Sequence, residues 1–231
     1  MQITCLIAAG VGLLSLASTA HADTGTGWYF GMGAGGSNYS GDVPQQIANA
    51  YRNNHTYTLV TARVVDSGDR AWQAFAGYRF LPWLGAELAY QDLGNAKTFY
   101  QLKTIGPILY PMPTLNGEYG LRDFDATLVA QWPVRERWSL LARGGVSDTR
   151  LTYDEHGVDV NAQAYAFHAR ARTRTGGLFG IGAVWEFAPQ LALRFDVDRR
   201  FDIGKTFALD AESNGRFDHV DAYTLSLVWK P

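Results

Sequence analysis

Leu191-Ala192-Leu193-Arg194-Phe195-Asp196-Val197-Asp198 decides the fold. One parity holds Leu, Leu, Phe and Val; the other holds Ala, Arg, Asp and Asp. Successive side chains of an extended strand point to opposite faces, so this stretch carries one apolar face and one charged face. The same rule runs through Trp28-Tyr29-Phe30-Gly31-Met32-Gly33-Ala34-Gly35, where Trp, Phe, Met and Ala share a face and Tyr shares the other with three glycines. It returns near the end, where Tyr223, Leu225, Leu227 and Trp229 alternate with Thr224, Ser226 and Val228.

A soluble sandwich alternates as well, with its apolar residues inward. Two features separate the cases. Short connections, centred on Leu81-Pro82-Trp83, Pro133 to Arg137 and Ala188-Pro189-Gln190, alternate with long polar ones near 40–70, 95–118, 150–175 and 204–216. Membrane barrels have this asymmetry, with short periplasmic turns and long external loops. Trp28, Trp83, Trp132, Trp138, Trp185 and Trp229 all lie close to a short turn or a barrel end, and Trp72 alone lies at the opposite end. Tryptophan gathers at a lipid–water interface, so the six read as an aromatic girdle. The pattern predicts an all-β, eight-stranded antiparallel up-and-down transmembrane β-barrel. Its strands are expected near 27–39, 71–81, 84–94, 119–132, 137–149, 176–188, 190–203 and 217–230.

Residues 3–20 are apolar or small and lead to Ala20-His21-Ala22, a small-x-small cleavage pattern. Residues 1–22 are therefore expected to be a cleaved signal peptide, and 23–231 the barrel domain. The single cysteine, Cys5, falls inside this leader. The mature chain then has no thiol to mispair in an oxidising periplasm. A net charge of −2 and the lack of a basic stripe exclude a nucleic-acid partner. Beyond the leader no apolar run approaches the ~18 residues of a membrane helix. Twenty-five glycines and 13% aromatic residues fit β-structure instead.

Ala74-Phe75-Ala76-Gly77-Tyr78-Arg79-Phe80-Leu81-Pro82-Trp83-Leu84-Gly85-Ala86-Glu87-Leu88-Ala89-Tyr90-Gln91-Asp92-Leu93-Gly94 resembles the second hairpin of the OmpA-type outer-membrane β-barrel family. Gly27-Trp28-Tyr29, Trp132-Pro133, Arg143-Gly144-Gly145 and Ala192-Leu193-Arg194 support the resemblance. It implies a Gram-negative outer-membrane location, a monomer, contact with outer-membrane lipids and lipopolysaccharide, and delivery by the barrel-insertion machinery. The chain departs from the family at Trp229-Lys230-Pro231, with proline where the insertion signal has phenylalanine, and no periplasmic domain is expected after the barrel.

The inward parity includes Arg79, Glu87, Asp123, Asp125, Arg143, Glu186, Arg194, Asp196 and Asp198. Charges in so narrow an interior must pair. They are read as a salt-bridged plug. The resemblance also implies a gate in which Glu87 exchanges between Arg194 and a lysine, but Val129 stands at the lysine position. His168-Ala169-Arg170-Ala171-Arg172-Thr173-Arg174 places three arginines on one face, a candidate contact for lipopolysaccharide phosphates. His55, His156, His168 and His219 are scattered among loops, and Asp154-Glu155-His156 has no neighbouring serine. Neither catalysis nor a cofactor or metal is expected. Three functions stay open: a structural or surface-interaction protein, a narrow ion-conducting pore, and a lipid A-modifying enzyme.

Overall fold

A computed structural model describes residues 25–41, 44–45, 48, 57–105, 113–158, 163–201 and 218–231. The expected leader, His55 and the centres of the long connections lie outside them. The strands are β1 (Gly27–Ser40), β2 (Tyr57–Asp66), β3 (Gly68–Leu81), β4 (Leu84–Thr104), β5 (Thr114–Arg135), β6 (Trp138–Val158), β7 (Ala164–Ala188), β8 (Leu191–Phe201) and β9 (His219–Trp229). All pairs are antiparallel, in the order β2-β4-β3-β1-β9-β8-β7-β6-β5, and β4 also pairs with β5. That last pairing closes a ring of eight.

The ninth strand is not a ninth wall. β2 and β3 both run along β4, with Asp66 opposite Lys97 and Trp72 opposite Asp92. They are two halves of one barrel strand, interrupted at Ser67. Three two-residue turns, Pro82-Trp83, Glu136-Arg137 and Pro189-Gln190, join strands at one end of the barrel.

The outward faces of the ring carry Phe30, Met32, Leu88, Phe124, Leu128, Leu140, Val146, Phe179, Ile181, Phe195, Leu225 and Leu227, all exposed. Water would not tolerate so continuous an apolar surface; hydrocarbon covers it without penalty. Trp28, Trp83, Trp132, Trp138 and Trp185 are exposed at the short-turn end of this belt. Trp229 is half-buried there. Trp138 stacks on Trp185 at 5.9 Å, and Phe30 meets Trp229 at 6.0 Å. The opposite margin is charged: Arg70, Asp92, Arg122, Asp148, Arg150, Arg199 and Asp221 occupy the outward positions that follow the last apolar ones.

Two of the expected long connections, near 95–118 and 150–175, are largely strand, and the one near 40–70 is strand over 57–66 and 68–70. β7 has 25 residues, and at ~3.3 Å each it runs far beyond an apolar band ~25 Å tall. Above the charged margin β2, β4, β5, β6 and β7 continue side by side as a projecting sheet. Its alternation is inverted. Tyr100, Leu102, Leu115, Tyr119, Leu121, Leu151 and Tyr153 turn inward and are buried in one cluster, while Lys97, Asn116 and Asp154 face out. Within lipid the apolar parity looks outward, and above it the same chain meets water and reverses. Expecting strands to end where charge takes the outward parity stopped β4, β5, β6 and β7 too soon.

Candidate functional site

The barrel interior is layered. At the short-turn end Tyr29, Phe75, Ala89, Val129, Leu141, Val184, Ala192 and Val228 form an apolar cluster. Val129, at the position where the resemblance places a lysine, belongs to it. At the other end lies the aromatic cluster of the projecting sheet. Between them is a layer of ions.

Two arginines share Glu87. Arg143 Nη1 donates to Glu87 Oε1 at 2.9 Å, and Arg194 Nη1 donates to Oε2 at 2.5 Å. Each arginine also holds its own aspartate. Arg143 Nε reaches Asp198 at 2.6 Å, and Arg194 Nε reaches Asp196 at 2.8 Å. Tyr29 donates its hydroxyl to Glu87 at 3.2 Å, and the Arg194 guanidinium lies 4.6 Å from the centre of the Phe75 ring. A second group surrounds Arg200, which ion-pairs with Asp123 at 2.5 Å and Asp125 at 2.8 Å and donates to Gln91. Gln91 in turn donates to Gln73, whose amide reaches Thr224 at 2.7 Å and Ser226 at 2.9 Å. All eight charged side chains are buried.

β4, β5, β6 and β8 supply these groups from their inward parity. β1 makes room for the Phe75 ring over which Arg194 lies: Gly31 faces inward, where a Cβ would lie 2.2 Å from that ring. Five carboxylates meet three guanidiniums, and each arginine is bound to two acids, with Glu87 shared between two of them. Such bonds are strong only because the site is dry, and removing an arginine leaves buried carboxylates short of a partner.

Several sequence readings change. Arg79 and Glu186 do not join this layer. They lie below the apolar cluster at the short-turn mouth, where Arg79 donates to Gln131 at 2.5 Å and Glu186 pairs with Lys230. Parity assigned them inward correctly but says nothing about height. Arg200 was missed; it shares the inward parity of Arg194, Asp196 and Asp198, and the alternation extended by one step finds it. The second cation beside Glu87 is Arg143 on β6 rather than a lysine on β5.

The β6–β7 register shifts within the arginine triplet. Register sets Arg174 opposite Thr149 and Arg172 opposite Leu151, and then shifts before Ala169 meets Tyr153. Thr149 and Leu151 are buried in the interior. Directly opposed residues share a face, so Arg174 occupies an inward-facing register position. Arg170 falls in the irregular step itself. His168 is exposed and its Nδ1 meets Asp154, while His156 is exposed on the outer face of the projecting sheet. Among the described residues, no group of three or more His, Cys, Asp or Glu side chains could hold a metal ion.

The profile of a family described as the outer membrane protein beta-barrel domain matches residues 6–230. The chain belongs to that family. This outer-membrane barrel is also similar to solved structures at low identity. One is Ail, the attachment invasion locus protein of Yersinia pestis, in complex with the heparin analogue sucrose octasulfate (12% identity, 88% of this chain and 97% of that one, TM-score 0.45). Others are Neisserial surface protein A (11%, 88% and 97%, 0.46) and OprG from Pseudomonas aeruginosa (11%, 89% and 98%, 0.46). No curated protein sequence matches the chain. Family membership places the apolar belt in the outer membrane, and in barrels of that membrane short turns face the periplasm and long connections the cell exterior.

Proposed function

We propose that this outer-membrane barrel is a closed platform with a structural and surface-interaction role, presenting its projecting sheet to the cell exterior without conducting ions or catalysing a reaction. One observation carries this reading: the buried ionic layer lies between two apolar clusters. A cavity in the lower interior, lined by Tyr29, Arg79, Val129, Gln131 and Arg194 among others, measures only about 20 Å³. That is about the space of one water, not of a file of them. A chain that invests five long strands in an external sheet while closing its lumen has its working surface outside.

Planar-bilayer recording on the reconstituted full chain tests this. The closed reading expects no unit conductance for wild type. It expects none for Glu87→Gln either, because the apolar layers stay in place when the layer between them loses a charge. The pore reading has a specific observation in its favour, the two arginines competing for Glu87. It expects discrete openings that grow when Glu87 or Arg194 is neutralised. A lipid-modifying enzyme would change the acyl pattern of lipid A on overexpression, and His156→Ala would abolish the change. The closed reading expects an unchanged pattern in both strains.

A further inference from the structure

On the lipid-facing side of β4, β5 and β6, large and small residues oppose one another. Leu88 faces Ala126, Ala126 faces Val146, and Leu128 faces Gly144. The small residues form the floor of a furrow of about 520 Å³ that runs across these strands and on to Ala76 of β3. Directly above it on β5 and β6 stand Arg122 and Arg150, opposite each other in register and both exposed. Like charges facing each other across a strand pair destabilise it unless an anion lies between them.

The protein's own acids do not fill that role. Asp92 takes only the Nε of Arg122, at 3.1 Å, which leaves the two Nη groups without an acceptor among the described residues. Asp148 accepts from Thr175 at 3.4 Å, and Arg150 has no ion pair among the described residues. With Arg70 at the same margin, three arginines stand against two aspartates. The remaining rim arginine, Arg199, is instead held by both oxygens of Asp221, at 2.7 and 2.8 Å.

We infer that the β4–β6 face binds one phosphorylated lipid of the outer leaflet, its phosphate bridging Arg122 and Arg150 and one acyl chain lying in the furrow. From Arg122 to Leu128 the strand descends six residues. At ~3.3 Å per residue and a tilt near 40° this is roughly 15 Å of depth, the reach of one leaflet. Arginine forks suit phosphate oxygens, and a furrow floored by alanine and glycine accepts a chain that a leucine floor would exclude. Such a site depends on the membrane placement only, and stands whether or not the projecting sheet contacts anything.

The test is lipid retention by the purified full chain in detergent, read by native mass spectrometry during titration with diphosphorylated lipid A. Wild type should retain one lipid A. Arg122→Gln with Arg150→Gln should weaken retention about tenfold or more. Arg199→Gln should leave it unchanged. Lipid A stripped of its phosphates should bind wild type as weakly as the intact lipid binds the double variant. Gly144→Leu should weaken retention of both lipids, and millimolar inorganic phosphate should not displace the lipid. Equal retention of the two lipids by wild type would overturn the site without recourse to any variant. Equal loss in Arg199→Gln would reduce it to a general charge effect and overturn it too, as would displacement by free phosphate.

Discussion

Glu87 accepts from three donors, Arg143, Arg194 and Tyr29, inside a group of two arginines and three acids. This composition decides which substitution hurts. Arg143→Met leaves Glu87 and Asp198 competing for what remains, two buried anions with one arginine fewer. Breaking a buried pair from that side costs about 3–5 kcal/mol. Glu87→Gln removes the shared acid but leaves Arg143 with Asp198 and Arg194 with Asp196, two matched pairs, and is expected to cost about 1–2 kcal/mol. Urea unfolding of the two variants in detergent should therefore rank Arg143→Met well below Glu87→Gln. The reverse order would mean that the acid, not the arginine, is the scarce partner.

At the scale of the strand, the telling position is Gly94. It lies in the β4 irregularity between Asp92 and Asn95, with φ +71°, a conformation that side chains rarely adopt. Asp92 accepts from the Gly94 amide at 3.0 Å and Asp69 from the Asn95 amide at 2.8 Å. The extra residue resets parity: Leu93 and Ala96, three apart, both face inward and are fully buried. Gly94→Ala is expected to cost about 1–2 kcal/mol in backbone strain. It should raise protease cleavage in the projecting sheet while the lipid-embedded part stays intact, as read by limited proteolysis of proteoliposomes.

The same position shows what sequence could and could not reveal. Within the belt, period two identified every wall, the three turns and the inward acids, because lipid imposes one rule along the whole strand. At Asp92, Arg122 and Arg150 the solvent changes and the rule inverts, and at Gly94 the phase slips as well. A reading that follows one parity ends there and takes the remainder for loop. Height was equally illegible: Arg79 and Glu186 share the parity of Glu87 but not its layer, since that depends on strand stagger.

The projecting sheet has its own pH signature. Tyr100 and Tyr153 both donate to the buried Glu155, the latter at 2.5 Å. Burial, with Tyr119, Tyr100 and Glu155 as neighbours, holds the Tyr153 phenol far above its ordinary value. A raised folded-state value favours the protonated form, so the stabilisation is complete below the unfolded phenol's value of about 10 and is lost as pH climbs beyond it. Proteolysis of the projecting sheet should thus accelerate above about pH 10 in wild type. In Tyr153→Phe, which has no phenol to ionise at that position, the acceleration should be weaker. Equal acceleration in both would remove Tyr153 from the account.

For the molecule as a whole, two solvents and one closed ring account for the architecture. The belt satisfies hydrocarbon, the inverted sheet satisfies water, and the ionic layer lies between them. Arg143, Arg194 and Arg200 bind four strands together in the middle, and on the proposed reading the barrel works at its outer margin and beyond.

β9 offers the most direct measurement. The chain's single cysteine is Cys5, so single cysteines can be placed at positions 222–228 in a background with that residue replaced. Spin labels on the protein in lipid vesicles would then report oxygen from the membrane and a water-soluble paramagnetic complex from either side. Positions 223, 225 and 227 should meet oxygen, while 222, 224, 226 and 228 should meet neither reagent. Access of the water-soluble complex to 224 or 226 would mean an open lumen, and the closed barrel would be wrong.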